Sequence, residues 1–307
     1  MDIKEWLSQQ SHAVTSTYHM GRYCGDWKAT THHTGKPSFH LILNGKCWLH
    51  LEDKPTSFPL SDGDIVFFFS DLPFYLLSSP DKSFDVLPFK KMLPAAEVNE
   101  NDTALLCGFL HPSSYEMELL FALMPEYLII THDMDVNRKL RHIFELVKIE
   151  CRSVDKNNDL TVTRLTDLLL VYVVEQVMES HFIDINLLLS ARNKILAELF
   201  IRILSSPAEN WSIDRMSSLT QMSRSTFIRK VQGITTYSPN EVVTRLRINV
   251  ASSKLLRGWS VEEAASEIGY ESVAGFCRSF KKITRCTPAG FSKVLAKKIG
   301  VNETYKK

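Results

Sequence analysis

The chain has 307 residues, 44% of them hydrophobic and 23% charged, enough for two domains that each bury a core. Its net charge of +1 rules out whole-chain attraction to a polyanion, and the longest apolar run, the seven residues Leu168 to Val174, is far short of the ~20 that span a bilayer. The mixed start Met1-Asp2-Ile3-Lys4-Glu5-Trp6 lacks a signal peptide's apolar stretch, and the six cysteines (24, 47, 107, 151, 277 and 286) form no CxxC pair, so a soluble cytoplasmic protein with reduced thiols is expected.

Residues 1 to about 25 are polar, with Ile3, Trp6 and Leu7 able to line one side of a short helix. From about Gly25 to Pro88 the texture is that of strands. Phe39 to Leu43 runs into Asn44-Gly45, a strong hairpin signal, with Cys47 to Leu51 as the return strand. Leu60-Ser61-Asp62-Gly63-Asp64 turns into Ile65 to Phe69, and Asp71-Leu72-Pro73 turns into Phe74 to Leu77. Short strands at this spacing predict a sandwich or barrel. After Pro125 the pattern becomes helical. Arg138 to Cys151 carries Leu140, Ile143, Phe144 and Val147, and Arg164 to Glu179 carries Leu165, Leu168, Leu169, Tyr172 and Val173 on one face. These helices either cover the strands or pair with a second copy. Ser153 to Leu160 is a polar loop, His181 to Asn186 a connector, and Leu187 to Leu204 helical again.

From Trp211 to Lys298 one pattern occurs twice. Trp211 aligns with Trp259, Ser223 with Ser272, Phe227 with Phe276 and Pro239 with Pro288, at offsets of 48, 49, 49 and 49. A period of this size marks two copies of one supersecondary unit. Each reads as helix, short turn, helix, with Ser212, Ser223, Ser260 and Ser272 as N-caps. Gly269 sits just past a helix, and Pro239 after Ser238 starts a long helix to Arg257 that joins the copies. That helix offers Val242, Val243, Leu246, Val250 and Leu255 to the core and Arg245 and Arg247 to its surface. The region holds 15 Lys/Arg against 6 Asp/Glu, while the remainder holds 21 against 29. A basic domain joined to an acidic one points to a polyanionic partner for the basic part alone.

A helix-turn-helix lays its second helix in the DNA major groove and needs apolar residues inward and donors outward. Phe227 and Val231 in the first copy, and Phe276 and Phe280 in the second, are spaced to face the core. Arg224, Ser225, Ile228 and Arg229, and Ala274, Cys277, Arg278 and Lys281, fall on the other sides. Arginine can bond guanine in a bidentate fork, whereas Lys230, Lys281, Lys282 and Arg285 suit phosphates. The expected DNA-binding set is Arg224, Ser225, Arg229, Lys230, Ala274, Arg278, Lys281 and Lys282.

The motif from Ser260 to Pro288, with Met222 to Phe227 and Ser238-Pro239 in the first copy, resembles the AraC/XylS-type DNA-binding domain over roughly residues 190 to 298. Cys24 to Trp27, Phe39 to Leu49, Leu60 to Val66, Leu105 to Phe109 and Leu119 to Pro125 resemble the cupin sensor domain of such regulators. The resemblance implies a transcription regulator contacting promoter DNA and RNA polymerase, with two recognition helices in successive major-groove segments about 34 Å apart. Where the family usually has Gly before the Ser/Thr-Pro, this chain has Thr236 and Arg285, and Ala274 replaces a polar reading residue. The expected fold class is α+β: a cupin-like β-barrel with covering helices (1–186) and an all-α domain with two helix-turn-helix units (187–307).

The expected function is a sequence-specific, ligand-responsive activator, with a homodimer open. His40, His50, Trp48, Phe67, Phe69 and Phe74 are the candidate pocket residues, although the aromatics suit a plain core equally. One alternative is a metal-dependent cupin enzyme using His32, His33, His40 and His50; the second cupin block, Leu72 to Leu76, lacks the histidine such enzymes carry. Another is a redox-sensing regulator through Cys24, Cys47 and Cys107. No metal or other cofactor is expected.

Overall fold

Strand-forming sequence fills the first half of the chain and pairs into two antiparallel sheets. The structure, a computed structural model, describes residues 15–53, 57–80, 85–94, 102–132, 138–152, 159–180, 182–291 and 293. One sheet has the order β1 (Thr15–Tyr23), β8 (Thr103–Leu110), β3 (Ser38–Asn44), β6 (Ile65–Phe68), β9 (Tyr127–Ile130). The other has the order β2 (Lys28–Ala29), β7 (Phe74–Leu77), β4 (Lys46–Leu51), β5 (Ser57–Ser61). The cupin-like region is therefore two-sheeted as its strands pair.

The Asn44-Gly45 turn forms where expected, with Gly45 at φ 76°, but it closes no hairpin. β3 is bonded to β6 along one edge and β8 along the other, so no edge is left for β4, which pairs with β5 and β7. Gly45 instead carries the chain from one sheet to the other, and a Cβ there would lie 2.4 Å from the Asp102 carbonyl oxygen. β1, in a stretch with no periodicity to read, pairs along its length with β8, from Thr15 opposite Leu110 to Tyr23 opposite Thr103. Ile3, Trp6 and Leu7, and most of the polar loop after Ser153, lie outside the described residues.

The described chain divides into two compact units. One runs up to His111 and resumes over Glu126–Val174; the other takes Pro112–Pro125 and the chain from Glu175 onward. The expected division at 186/187 thus falls inside the second unit, and Leu119 to Pro125, read as the end of the cupin region, groups with the helices. In the first unit α2 (Arg138–Arg152) buries Leu140, Ile143, Phe144 and Val147 as spaced. On α3 (Asp159–Glu179) the buried line is Val162, Thr166, Leu169, Leu170, Val173 and Val177, while Leu168 is 39% exposed and Leu165 and Tyr172 are half-buried. The helix is apolar nearly all round from Leu168 to Val174, so periodicity could not choose its inner face.

The second unit contains α1 (Tyr115–Leu123), α4 (Ile185–Leu189) and α5 (Lys194–Ser205). The helix expected over 187–204 is broken: a 3₁₀ turn at Ser190–Arg192 ends in Asn193, whose side chain accepts from Leu196 N at 3.2 Å and starts α5. The repeat supplies α6 (Ile213–Leu219), α7 (Arg224–Thr235), α8 (Pro239–Leu256), α9 (Val261–Glu267) and α10 (Val273–Thr284).

Candidate nucleic-acid interface

Each copy of the repeat begins with a side chain that fixes where its helices start. Ser212 accepts from Arg215 N at 3.2 Å, Ser223 from Thr226 N at 3.3 Å and Ser272 from Gly275 N at 3.2 Å. Ser260 forms a full capping box: it accepts from Glu263 N at 3.1 Å, and the Glu263 carboxylate accepts from Ser260 N at 2.8 Å. The Ser260 N–H, and after it the Ser260 hydroxyl donating to the same carboxylate at 2.8 Å, hold the Glu263 carboxyl below its usual range. Such caps satisfy N–H groups that a first helical turn leaves free. Pro239 stands at the start of α8 behind Ser238, as spaced.

Between the helices of the second copy, Gly269 adopts φ 76°, and a Cβ there would lie 2.9 Å from Ala208 Cα. The turn therefore requires glycine twice over, for backbone conformation and for close approach. Behind α10, Phe276 and Phe280 are fully buried with ring centroids 5.4 Å apart, and Phe280 meets Phe291 edge-on at 5.2 Å. Behind α7, Phe227 and Val231 are equally buried. Trp211 is buried, its indole N–H donating to Ser206 O at 2.9 Å, whereas Trp259 is half-buried under Lys254.

These anchors set the outward faces. Arg229 and Arg278 are exposed and, among the described residues, neither is ion-paired. Ser225, Ala274, Lys281 and Lys282 are exposed, and Lys230 is half-buried. Arg224 is exposed but paired with Asp214 of α6 at 3.1 Å, so its guanidinium is already engaged within the motif. The two arginines assigned to the surface of α8 are tied inward instead. Arg245 is paired with Asp184 at 2.8 Å and stacks on Tyr237 at 3.8 Å, and Arg247 donates to Pro207 O at 2.7 Å and Glu209 O at 2.9 Å. Val250, assigned to the core, is half-buried. Arg245 also pairs with Glu241 one turn back at 3.1 Å, a spacing the sequence could flag, but Asp184, Pro207 and Glu209 lie at no such local spacing.

A family model described as a cupin matches residues 9–179, and one described as a helix-turn-helix domain matches residues 216–293. A helix-turn-helix transcriptional regulator of Haemophilus influenzae is 30% identical over 88% of this chain and 91% of its own length. The RCS-specific transcriptional activator RclR of Escherichia coli is 24% identical over 67% of this chain and 73% of its own. An AraC-like transcription regulator of Streptomyces lividans is 21% identical, covering 95% and 97%. The chain belongs to the AraC-type transcriptional regulators.

Two positions where this AraC-type regulator departs from the family's glycine pattern are strained in the structure. Thr236 and Arg285 end α7 and α10 at φ 64° and 63°, in the left-handed region. The motif's geometry has been kept without the residue that makes it easy.

None of the pocket residues expected in the cupin region lines the cavity described below. On β4, Cys47, Leu49 and Leu51 are buried and alternate with half-buried Trp48 and His50, so those two side chains leave by the opposite face. His40, Phe67, Phe69 and Phe74 are buried core. His40 Nδ1 lies 3.1 Å from Cys107 Sγ, its ring packs on Phe68 and Phe74, and burial pushes its pKa down to about 3. A cavity of about 450 Å³ in this unit is lined instead by Asp62, Ile65, His132, Arg141, Phe144 and Lys148, among others. Lys148 donates to both Asp62 oxygens at 2.8 Å. Three separate segments supply these side chains, and no spacing in the sequence marks them.

The same environment bears on the other chemistries. Cys47 and Cys107 are buried; burial raises both thiol pKa values, that of Cys107 to about 12, the reverse of what a reactive thiolate needs. Cys24 is exposed. Among the described residues, no three His, Cys, Asp or Glu side chains converge as metal ligands. No described helix is long and apolar enough to cross a membrane.

Proposed function

We propose that this regulator reads promoter DNA sequence-specifically through α7 and α10 and activates transcription in response to a small molecule. The observation that carries the reading is the pair Arg229 and Arg278. Both are exposed, neither is ion-paired among the described residues, and each sits two residues from a buried aromatic of the repeat. In this reading Arg229 and Arg278 fork onto guanine edges, while Lys230, Lys281 and Lys282 neutralise phosphates. Ser225 and Ala274 face the bases beside them, and Arg224 reaches DNA only by exchanging its bond to Asp214.

Activation is supported by the name of one relative and would require contact with RNA polymerase. The cavity beside Lys148 is the candidate effector site, and its occupant would act only through unequal affinity for the chain's two functional states. A homodimer is supported by Leu146, Ile149, Leu160 and Leu168, which stay exposed on α2 and α3, and sedimentation of the full chain at two concentrations tests it.

The test of the main reading is binding of the full chain to selected promoter duplexes at fixed salt. Arg229→Ala and Arg278→Ala are each expected to cost about 1–3 kcal/mol and relax selectivity at one base position. Lys281→Ala should weaken all duplexes alike and lower the slope of log K against log salt by about 1. Unchanged affinity and selectivity in both arginine variants would sink the assignment.

A further inference from the structure

The first turns of the two recognition helices occupy equivalent places in the repeat but carry opposite chemistry. α7 opens with Arg224, Ser225 and Thr226, and α10 opens with Val273, Ala274 and Gly275. Val273 is 37% exposed and Ala274 is exposed, so an apolar tip stands in water at the place where a helix-turn-helix meets base edges. It is held there: Ser272 caps the turn through Gly275 N, and Tyr270 packs edge-on against buried Phe276 behind it. Arg278 lies beside it. A Cβ on Gly275 would lie 3.9 Å from Arg278 Nη2, so the guanidinium folds back toward the helix's first turn. Exposed Lys281 and Lys282 follow on the same helix, and no acidic residue lies between Ser272 and Arg285.

We propose that this tip reads thymine, by packing Val273 and Ala274 against the C5-methyl group of a thymine next to the guanine taken by Arg278. The surrounding positive charge fits a nucleic-acid occupant. Of the base edges in the major groove only thymine offers an apolar group, and Val and Ala have no donor or acceptor with which to read any other. The second half-site is then specified by one polar fork plus methyl contact, and the first half-site by polar contacts. The proposal rests on the DNA-binding reading above.

The test uses duplexes enriched from a random pool by the full chain, with each thymine in turn replaced by uracil, which removes only the methyl group. The half-site of α10 is the one whose preference is lost in Arg278→Ala. Native protein is expected to lose about three- to fivefold in affinity for each methyl contacted there, the effect of exposing one buried methyl-sized group. The double variant Val273→Asn, Ala274→Asn changes only exposed side chains, leaves no methyl at the tip and keeps the fold. It should bind thymine and uracil duplexes within about 1.5-fold of each other, since the methyl loses its apolar partner. Equal affinity of the native chain for thymine and uracil throughout that half-site overturns the proposal, as does an undiminished uracil penalty in the double variant. Either result, with Arg278 still required, leaves DNA reading intact; failure to enrich any duplex removes the DNA-binding reading and this proposal together.

Discussion

Thr236 and Arg285 show what a single residue contributes against its own preference. A left-handed side-chain-bearing residue costs about 1–2 kcal/mol, and glycine recovers that less about 0.5–1 kcal/mol for its looser unfolded chain. Thr236→Gly is therefore expected to stabilise the protein by about 0.5–1 kcal/mol, read as a higher urea midpoint at unchanged slope. Arg285→Gly should do the same while weakening DNA binding in a salt-dependent way, which separates the backbone's cost from the side chain's use. His40 makes a second prediction. Its folded pKa is about 3 against 6.5 when free, so between those values the unfolded chain binds the extra proton. Its contribution is complete above pH 6.5 and is lost as pH falls, by about 1.4 kcal/mol per unit. Urea unfolding at pH 7, 6 and 5 should show a shallower decline in His40→Gln than in the native chain.

At the scale of elements, legibility followed locality. The capping serines, Pro239 and the buried pairs Phe227/Val231 and Phe276/Phe280 act within one or two helical turns, and all were readable from spacing. Gly269 was readable as a left-handed cap, but its contact with Ala208 was not, because 61 residues separate the two. Gly269→Ala should cost at least about 1–2 kcal/mol from backbone conformation alone, seen as a lowered melting temperature. Strand existence was legible from Phe39, Ile65 and Phe74 onward, yet strand partners were not. Asn44-Gly45 signals a turn equally well whether the next strand returns to the same sheet or leaves for the other. The face of α3 was lost for a different reason: a run apolar on every side contains no direction. Phe67, Phe69 and Phe74 are buried, and aromatic side chains in strands fill a core and line a cavity with the same pattern, so spacing alone does not tell the two apart.

Across the whole molecule, the basic excess of the sequence lies in the repeat, which falls inside the second compact unit. The coupling between copies is carried by α8, an unbroken helix of 18 residues whose arginines are pinned to Asp184, Pro207 and Glu209. Such a helix is about 27 Å long. It works as a caliper, and a caliper constrains the genome as well as the protein. Substituting one base in a promoter forfeits one contact, about 1–3 kcal/mol. Inserting about five base pairs between the two half-sites turns one of them to the far side of the duplex and forfeits every contact of one recognition helix. Inserting a full turn of about ten restores the face but adds ~34 Å that α8 has no length to cover. Functional promoters for this regulator are expected to drift in sequence while holding their spacing fixed. A panel of operators with zero, five and ten inserted base pairs, scored by footprinting, should show both half-sites protected only in the first.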